Sequence, residues 1–284
     1  YCELAPMHAI TQQHDTTPVD TVLRDLQYAL TQHPNIDVIT LTANGEPTMY
    51  PYLNELIDQI NAIKKEKQTL ILSNSAYLND PKVFQALLNL DQVKLSLDAA
   101  TSEIFHKIDR PAEGIDIADI LSAIQKFSHV YSGKLFIEIL FVRGLNDTFK
   151  EVSALNKALM HVKCDRIDIG TIDRPPAYPV QGLEFKELYA LSHIFDPSLP
   201  IHIVSRTHAT VTPSYYTQEE ILTTLDKRPL TQEDIDALFD DESKKRLQIL
   251  INEEKITTIE RSNVIFYLPS ANKKRKRHKT TQVS

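Results

Sequence analysis

The stretch LTANGEPTMYP, Leu41–Pro51, places an acid between glycine and proline directly after the apolar run Ile36–Leu41. Asn-Gly marks a hairpin when a second strand follows. Here the next segment, YLNELIDQINAI at 52–63, carries helical spacing, so the stretch is a strand-to-helix loop. Gly45 lets the backbone approach a ligand closely and Pro47 sets the turn. Glu46 offers a carboxylate to a cationic amine.

Outward from that loop the same unit recurs. Short β-branched runs, VITLT at 38, TLILS at 69, VKLSL at 93, KLFIEILFV at 134 and RIDIG at 166, alternate with amphipathic stretches PKVFQALLNL, IDIADILSAIQKF and FKEVSALNKALMHV. This alternation predicts βα units and a parallel sheet wound in one hand, a barrel or part of one. Asp80-Pro81 reads as a helix start, with the acid as cap and proline at the first helical position. Polar residues fall at successive strand ends, where such folds keep their chemistry: Asn44 and Glu46, Ser73 and Asn74, Ser96 and Asp98, Arg143 with Asn146 and Asp147, Asp173 and Arg174.

The chain has 284 residues, 42% hydrophobic and 24% charged, enough for a large core and a second small domain. No apolar stretch approaches the roughly 18 residues that span a bilayer, and no signal peptide opens the chain, which predicts a cytoplasmic protein. Cys2 and Cys164 form neither a disulfide framework nor a zinc motif, and His8, His14 and His106 have no metal spacing. Cys164 reads as a small buried hydrophobe. Of the net charge of −7, residues 217–284 hold 13 basic against 12 acidic, leaving 18 against 26 for the rest. An acidic body argues against a broad phosphate-binding surface, whereas KKRKRHK at 273–279 suits an anionic polymer.

After Pro179 the pattern changes. A helix near 183–195 and a strand IHIVS at 201 lead to EEILTTL, LTQEDIDALF, SKKRLQILINEEKI, ITTIE and NVIFYL. Three helices followed by two strands predict a winged-helix-like module, with Thr231 capping the second helix ahead of Asp234. The third helix begins with Lys244, Lys245 and Arg246 and ends with Glu253 and Glu254, a weak design for reading DNA, and Ile249 and Leu250 read as core. The expected domains are 1–212, 213–270, and a disordered basic tail over 271–284.

Taken together, YCE at 1–3, ANGEPTMYP, LSNSAYL, KLSLDAA with IDRP at 108–111, FVRGLND at 141–147 and IDRPPAYP at 172–179 resemble the radical S-adenosylmethionine (SAM) superfamily. Within it the wording is most similar to a bacterial group of Fe-S oxidoreductases akin to wyosine-type tRNA-modifying enzymes; Ala43 stands where related proteins usually carry glycine. The resemblance covers about Tyr1 to Arg174. It implies an α/β fold, a partial (β/α)6 TIM-like barrel whose first strand and cluster loop are truncated here.

The resemblance further implies a 4Fe-4S cluster with Cys2 as ligand, and SAM contacted by Tyr1, Asn44, Gly45, Glu46, Pro47, Ser73, Asn74, Ser96, Asp98 and Asn146. In the implied reaction an electron from the reduced cluster cleaves SAM, and a 5′-deoxyadenosyl radical abstracts hydrogen from a substrate, possibly tRNA. Cofactor and cluster carry the hard chemistry, so no acid-base triad is required and no catalytic side chain is assigned. The implied partners are an electron donor such as flavodoxin or ferredoxin and an RNA or protein substrate, with no membrane. Arg110, Arg143, Asp173 and Arg174 stand at the rim as candidate substrate contacts, with ion-paired loop anchors as the competing reading. The family's two further cysteines would precede Tyr1, so this segment supplies one thiolate of three and is expected to be inactive alone. Two other readings stay open: a nucleic-acid-binding or regulatory protein acting through the winged helix, and an activating enzyme that docks a partner protein.

Overall fold

The computed structural model describes residues 16–43, 45–172, 178–204, 213–227, 229–261 and 264–270. Six parallel strands, β1 (Val38–Leu41), β2 (Gln68–Ser73), β3 (Gln92–Ser96), β4 (Lys134–Phe141), β5 (Arg166–Thr171) and β6 (Ile201–Ile203), lie side by side in chain order. Connecting them are α2 (Leu53–Ile63), α3 (Pro81–Leu88), α4 (Ser102–Ile108), α5 (Ile117–Val130), α6 (Phe149–Leu159) and α7 (Phe185–Ser192), with α1 (Val19–Gln32) ahead of β1. A strand order that never reverses, combined with right-handed crossovers, puts every connecting helix on one face of the sheet. The opposite face is the inner face of a partial barrel, as expected.

Burial follows the two-residue period of the strands. Ile71, Val93, Leu95, Ile137, Ile139, Ile167 and Ile169 are fully buried on the helix side, against Leu87, Ile124, Phe127, Leu155 and Leu159 of the helices. The alternate residues, Lys94, Ser96, Phe136, Glu138, Leu140, Arg166, Asp168 and His202, occupy the inner face. Register pairs them across strands: Lys94 with Phe136, Ser96 with Glu138, Glu138 with Asp168, and Asp168 with His202.

Local signals act as read. Asp80 Oδ1 accepts from Lys82 N at 2.7 Å, with Pro81 at the first helical position. The helices α1 and α4 were not anticipated. Among the α1 side chains only Val19 and Leu23 are buried.

The chain divides into two compact units, one running to Thr171 and including Leu183–Val204, the other including Ile172–Gly182 and the segment from Ser205 onward. That second unit contains α8 (Gln218–Lys227), β7 (Leu230–Thr231), α9 (Gln232–Leu238), α10 (Asp241–Asn252), β8 (Ile256–Arg261) and β9 (Val264–Pro269). Its antiparallel sheet has the order β7-β9-β8, with β7 an addition to the expected elements. Ile221, Leu225, Leu230, Ile235, Phe239, Leu247, Leu250 and Ile256 form its core. Thr231 caps α9 in a reciprocal box, its Oγ1 accepting from Asp234 N while Asp234 Oδ2 accepts from Thr231 N at 2.8 Å. One expectation fails here. Leu250 is buried, but Ile249 is 45% exposed, because the helical period turns it a residue's rotation away from the core face.

Candidate active site

The carboxyl ends of β1 and β2 are tied together by one side chain. Glu46, 6% exposed, accepts through Oε1 from Thr48 N at 3.0 Å, Thr48 Oγ1 at 2.6 Å and Ser73 Oγ at 2.8 Å. Its Oε2 accepts from Asn74 N at 2.8 Å. These contacts cap the 3-10 turn Pro47–Met49 and hold both strand-end loops in one place. Among the described residues all four donors are neutral, so there the buried carboxylate is solvated by dipoles and not by a cation, and Oε2 retains a lone pair for a further donor.

The next two strand ends are joined in the same style. Ser75, at φ 67°, donates from Oγ to Ser96 O at 2.8 Å, linking the β2 loop to β3. Asp98, buried at 4%, accepts at Oδ1 from Leu140 N at 2.7 Å. Asn146 is completely buried: Nδ2 donates to Asp98 O at 2.8 Å and Leu140 O at 2.9 Å, and Oδ1 accepts from Val142 N at 2.7 Å. Both its donor hydrogens are spent inside the protein, so its geometry is that of a clasp between strand ends and not of a ligand-facing group. Glu151 of α6 was missed in the sequence. It accepts from Ala100 N, Thr101 N and Thr101 Oγ1 at 2.6 to 3.0 Å and pins the loop after β3. An acid in the first turn of a helix looks like an ordinary dipole partner, which hid this role.

The remaining candidates separate. Gly45 is exposed, and a Cβ added there meets nothing within 4 Å, so its backbone borders open space. Ser96 is half-buried on the inner face, and Asn74 is exposed. Arg143 forms a bidentate pair with Glu187 of α7, at 2.6 and 2.5 Å. That pair holds the Glu187 carboxyl down at about 2 and matches the loop-anchor reading. Arg110 is exposed and has φ 49°. Tyr1, Cys2, Asn44, Asp173 and Arg174 lie outside the described residues. Asp109, crowded by protein atoms yet still reached by solvent, has its carboxyl pKa raised, by desolvation first and by the Asp98 charge second. Cys164 is half-buried, and burial with the nearby Asp165 pushes its thiol up to about 11, so it is no thiolate at neutral pH.

A second cluster, on the inner face, was not read from the sequence. Asp168 accepts from Arg166 Nε at 2.7 Å and Arg166 Nη2 at 3.0 Å. Lys94 Nζ lies 3.1 Å from Asp168 and 2.6 Å from Glu138, and His202 Nδ1 lies 3.2 Å from Asp168. Burial alone would raise Asp168's pKa, but hydrogen bonds and charge from Arg166 and Lys94 outweigh it and lower the value. Lys94 is the mirror case. Burial disfavours its charge, and Glu138 and Asp168 together raise its pKa.

A singly wound parallel sheet with ordered polar loops at its carboxyl ends defines a barrel-type α/β enzyme scaffold. The Radical SAM superfamily model matches residues 1–155, and the chain belongs to that superfamily. It is 36% identical over 271 residues to a UPF0026 protein of Helicobacter pylori, covering 94% of this chain and 87% of that one. It is 35% identical over 129 residues to an S-adenosyl-L-methionine-dependent tRNA 4-demethylwyosine synthase of Oryza sativa, covering 45% of this chain and 18% of that protein. A radical SAM methyltransferase from Sphaerobacter thermophilus shares the fold, with TM-score 0.51, 15% identity, and coverage of 66% of this chain and 57% of that one. The chain is thus a radical SAM enzyme related to wyosine-type proteins, of a superfamily that uses a 4Fe-4S cluster and SAM. The rim's donor set fits the cationic cofactor: a buried carboxylate with no cation among its four partners stands beside an open glycine backbone. Among the described residues no helix is long and apolar enough to cross a membrane.

Proposed function

We propose that Gly45–Pro47, Ser73–Asn74 and Ser96 hold SAM at the strand-end rim, and that the substrate is a nucleobase in RNA. The Glu46 clasp carries this reading. Among the described residues the buried carboxylate has neutral donors alone, and an ammonium group at Oε2 would compensate its charge. When bound, cluster and cofactor supply one-electron hydrogen-abstraction chemistry. The chain's own residues bind and orient. Glu46 takes the amino group, the Gly45 backbone allows close approach, and the Ser96 hydroxyl faces the inner side. Asp98, Asn146 and Glu151 act as positioning residues that keep the rim loops in register. The choice of RNA is supported by the demethylwyosine synthase similarity over 129 residues.

The order helix, strand, two helices, two strands, with sheet order β7-β9-β8, supports reading 213–270 as a winged-helix module. The basic start of α10 is matched locally. Lys244 meets Asp236 at 3.1 Å, Arg246 meets Glu242 at 3.3 Å, and the Arg246 guanidinium lies 4.4 Å from the Tyr215 ring centroid. Paired cations release few counterions on a phosphate backbone, so we read the module as a docking or capping element, not a groove reader.

The test is 5′-deoxyadenosine formation by the protein purified without oxygen, reconstituted with iron and sulfide, and supplied with SAM and dithionite. The full-length protein, with the two further cysteines expected ahead of Tyr1, should form it, and Glu46→Gln in that protein should need about tenfold more SAM, the loss of one charge-assisted hydrogen bond. Equal SAM dependence in the two proteins would remove Glu46 from the site.

A further inference from the structure

We propose that Arg166 on the inner face is a pre-set oxyanion arm that receives a carboxylate or phosphate group of the substrate. The guanidinium is held on two sides. Its Nε and one Nη2 hydrogen are occupied by Asp168, and its plane lies over the Phe136 ring at 4.8 Å from the centroid. Asp168 is itself locked, at 3% side-chain exposure, by Lys94 and His202. A guanidinium so fixed has lost its rotamer freedom in advance, while the fork formed by Nη1 and the second Nη2 hydrogen points away from Asp168. The Arg166 side chain is 46% exposed. Such a fork matches two oxygens of a planar or tetrahedral anion, which a lysine point charge does not.

The neighbours define the subsite. His202, 59% exposed, stands opposite Asp168 on the adjacent strand and is oriented by it through Nδ1, so Nε2 is its remaining polar atom. On the other side Glu138, 43% exposed and already paired with Lys94, repels anions and confines the subsite to β5 and β6. Lys94 is shared between Asp168 at 3.1 Å and Glu138 at 2.6 Å, so Lys94 and Arg166 together balance the two carboxylates. What the network offers an external anion is therefore the directed donors of the outward guanidinium edge and not an excess of charge.

The inference rests on the sheet's own geometry and holds whether or not the rim takes SAM as proposed, because its test needs no cluster. Guanidinium 15N resonances of the protein are followed while inorganic phosphate is added, and separately acetate; the Arg166 signal is the one missing in Arg166→Lys. A saturable shift of that signal is expected with at least one anion, and which anion acts tells phosphate from carboxylate. Arg166→Lys is expected to weaken binding about tenfold and Glu138→Gln not to weaken it. An Arg166 signal unmoved by both anions would overturn the assignment, as would equal affinity in Arg166→Lys. The first of these is read on wild type and does not depend on a variant folding.

Discussion

The rim and the inner face both bury acids, and they treat them in opposite ways. At the rim, Glu46 and Glu151 are 6% and 1% exposed and, among the described residues, accept only from backbone amides and hydroxyls. On the inner face, Asp168 is surrounded by Arg166, Lys94 and His202. A carboxylate solvated by dipoles keeps its field and attracts a cation, whereas one wrapped in cations turns their far edges outward toward anions. The two proposed ligands would thus sit on one sheet, a cationic cofactor at the carboxyl ends of the strands and an oxyanion at the amino end of β5.

The contrast breaks most visibly at Asp168. Asp168→Ala leaves Arg166 without its carboxylate and Lys94 with Glu138 alone, and is expected to cost about 3 kcal/mol in urea denaturation. A loss below about 1 kcal/mol would mean that the network is solvated and not structural. The same carboxyl sets an acid limb. Its folded pKa is lowered, so its stabilisation is fully present above the unfolded value of about 4 and is lost as pH falls through the lower folded value. Stability of Asp168→Asn measured against pH should therefore fall less steeply below about pH 4 than that of wild type.

At the rim, Glu46→Ala strands four donors and is expected to cost about 2 kcal/mol, with a parallel loss of SAM affinity. If stability falls while SAM binding by calorimetry is unchanged, Glu46 is only a clasp, and the contrast reduces to a difference in packing. The smallest effects are expected far from both sites. Asp80→Ala and Thr231→Ala each remove a helix cap, for about 1 kcal/mol, and should leave SAM affinity and anion shifts unaltered.

Much of the rim was legible because position after a strand is a local property. Glu46, Ser73 and Asn74 stand at the ends of β-branched runs, and the structure brings them within hydrogen-bond distance. Asn146 was legible in place but not in role. A polar residue in a loop suggests a ligand, and only the paths of β3 and β4 show that Asp98, Leu140 and Val142 engage its side-chain amide. Arg143 likewise proved to be claimed by Glu187 of a later helix. The inner-face network was not legible at all. Lys94, Glu138, Asp168 and His202 each occur as one polar residue alternating with apolar ones, which is how any half-buried strand reads.

By itself the amino-acid sequence determined the strands, most of the helices, the caps at Asp80 and Thr231, and the superfamily, because these follow from periodicity, turn chemistry and contiguous motifs within a few residues. Tertiary structure alone decided which acids are neutralised and by what. That outcome depends on register between strands separated by whole helices: Glu138 faces Asp168, and Asp168 faces His202, only because successive parallel strands align those rungs. Electrostatics acts through distance in space, and no local pattern along the chain records it.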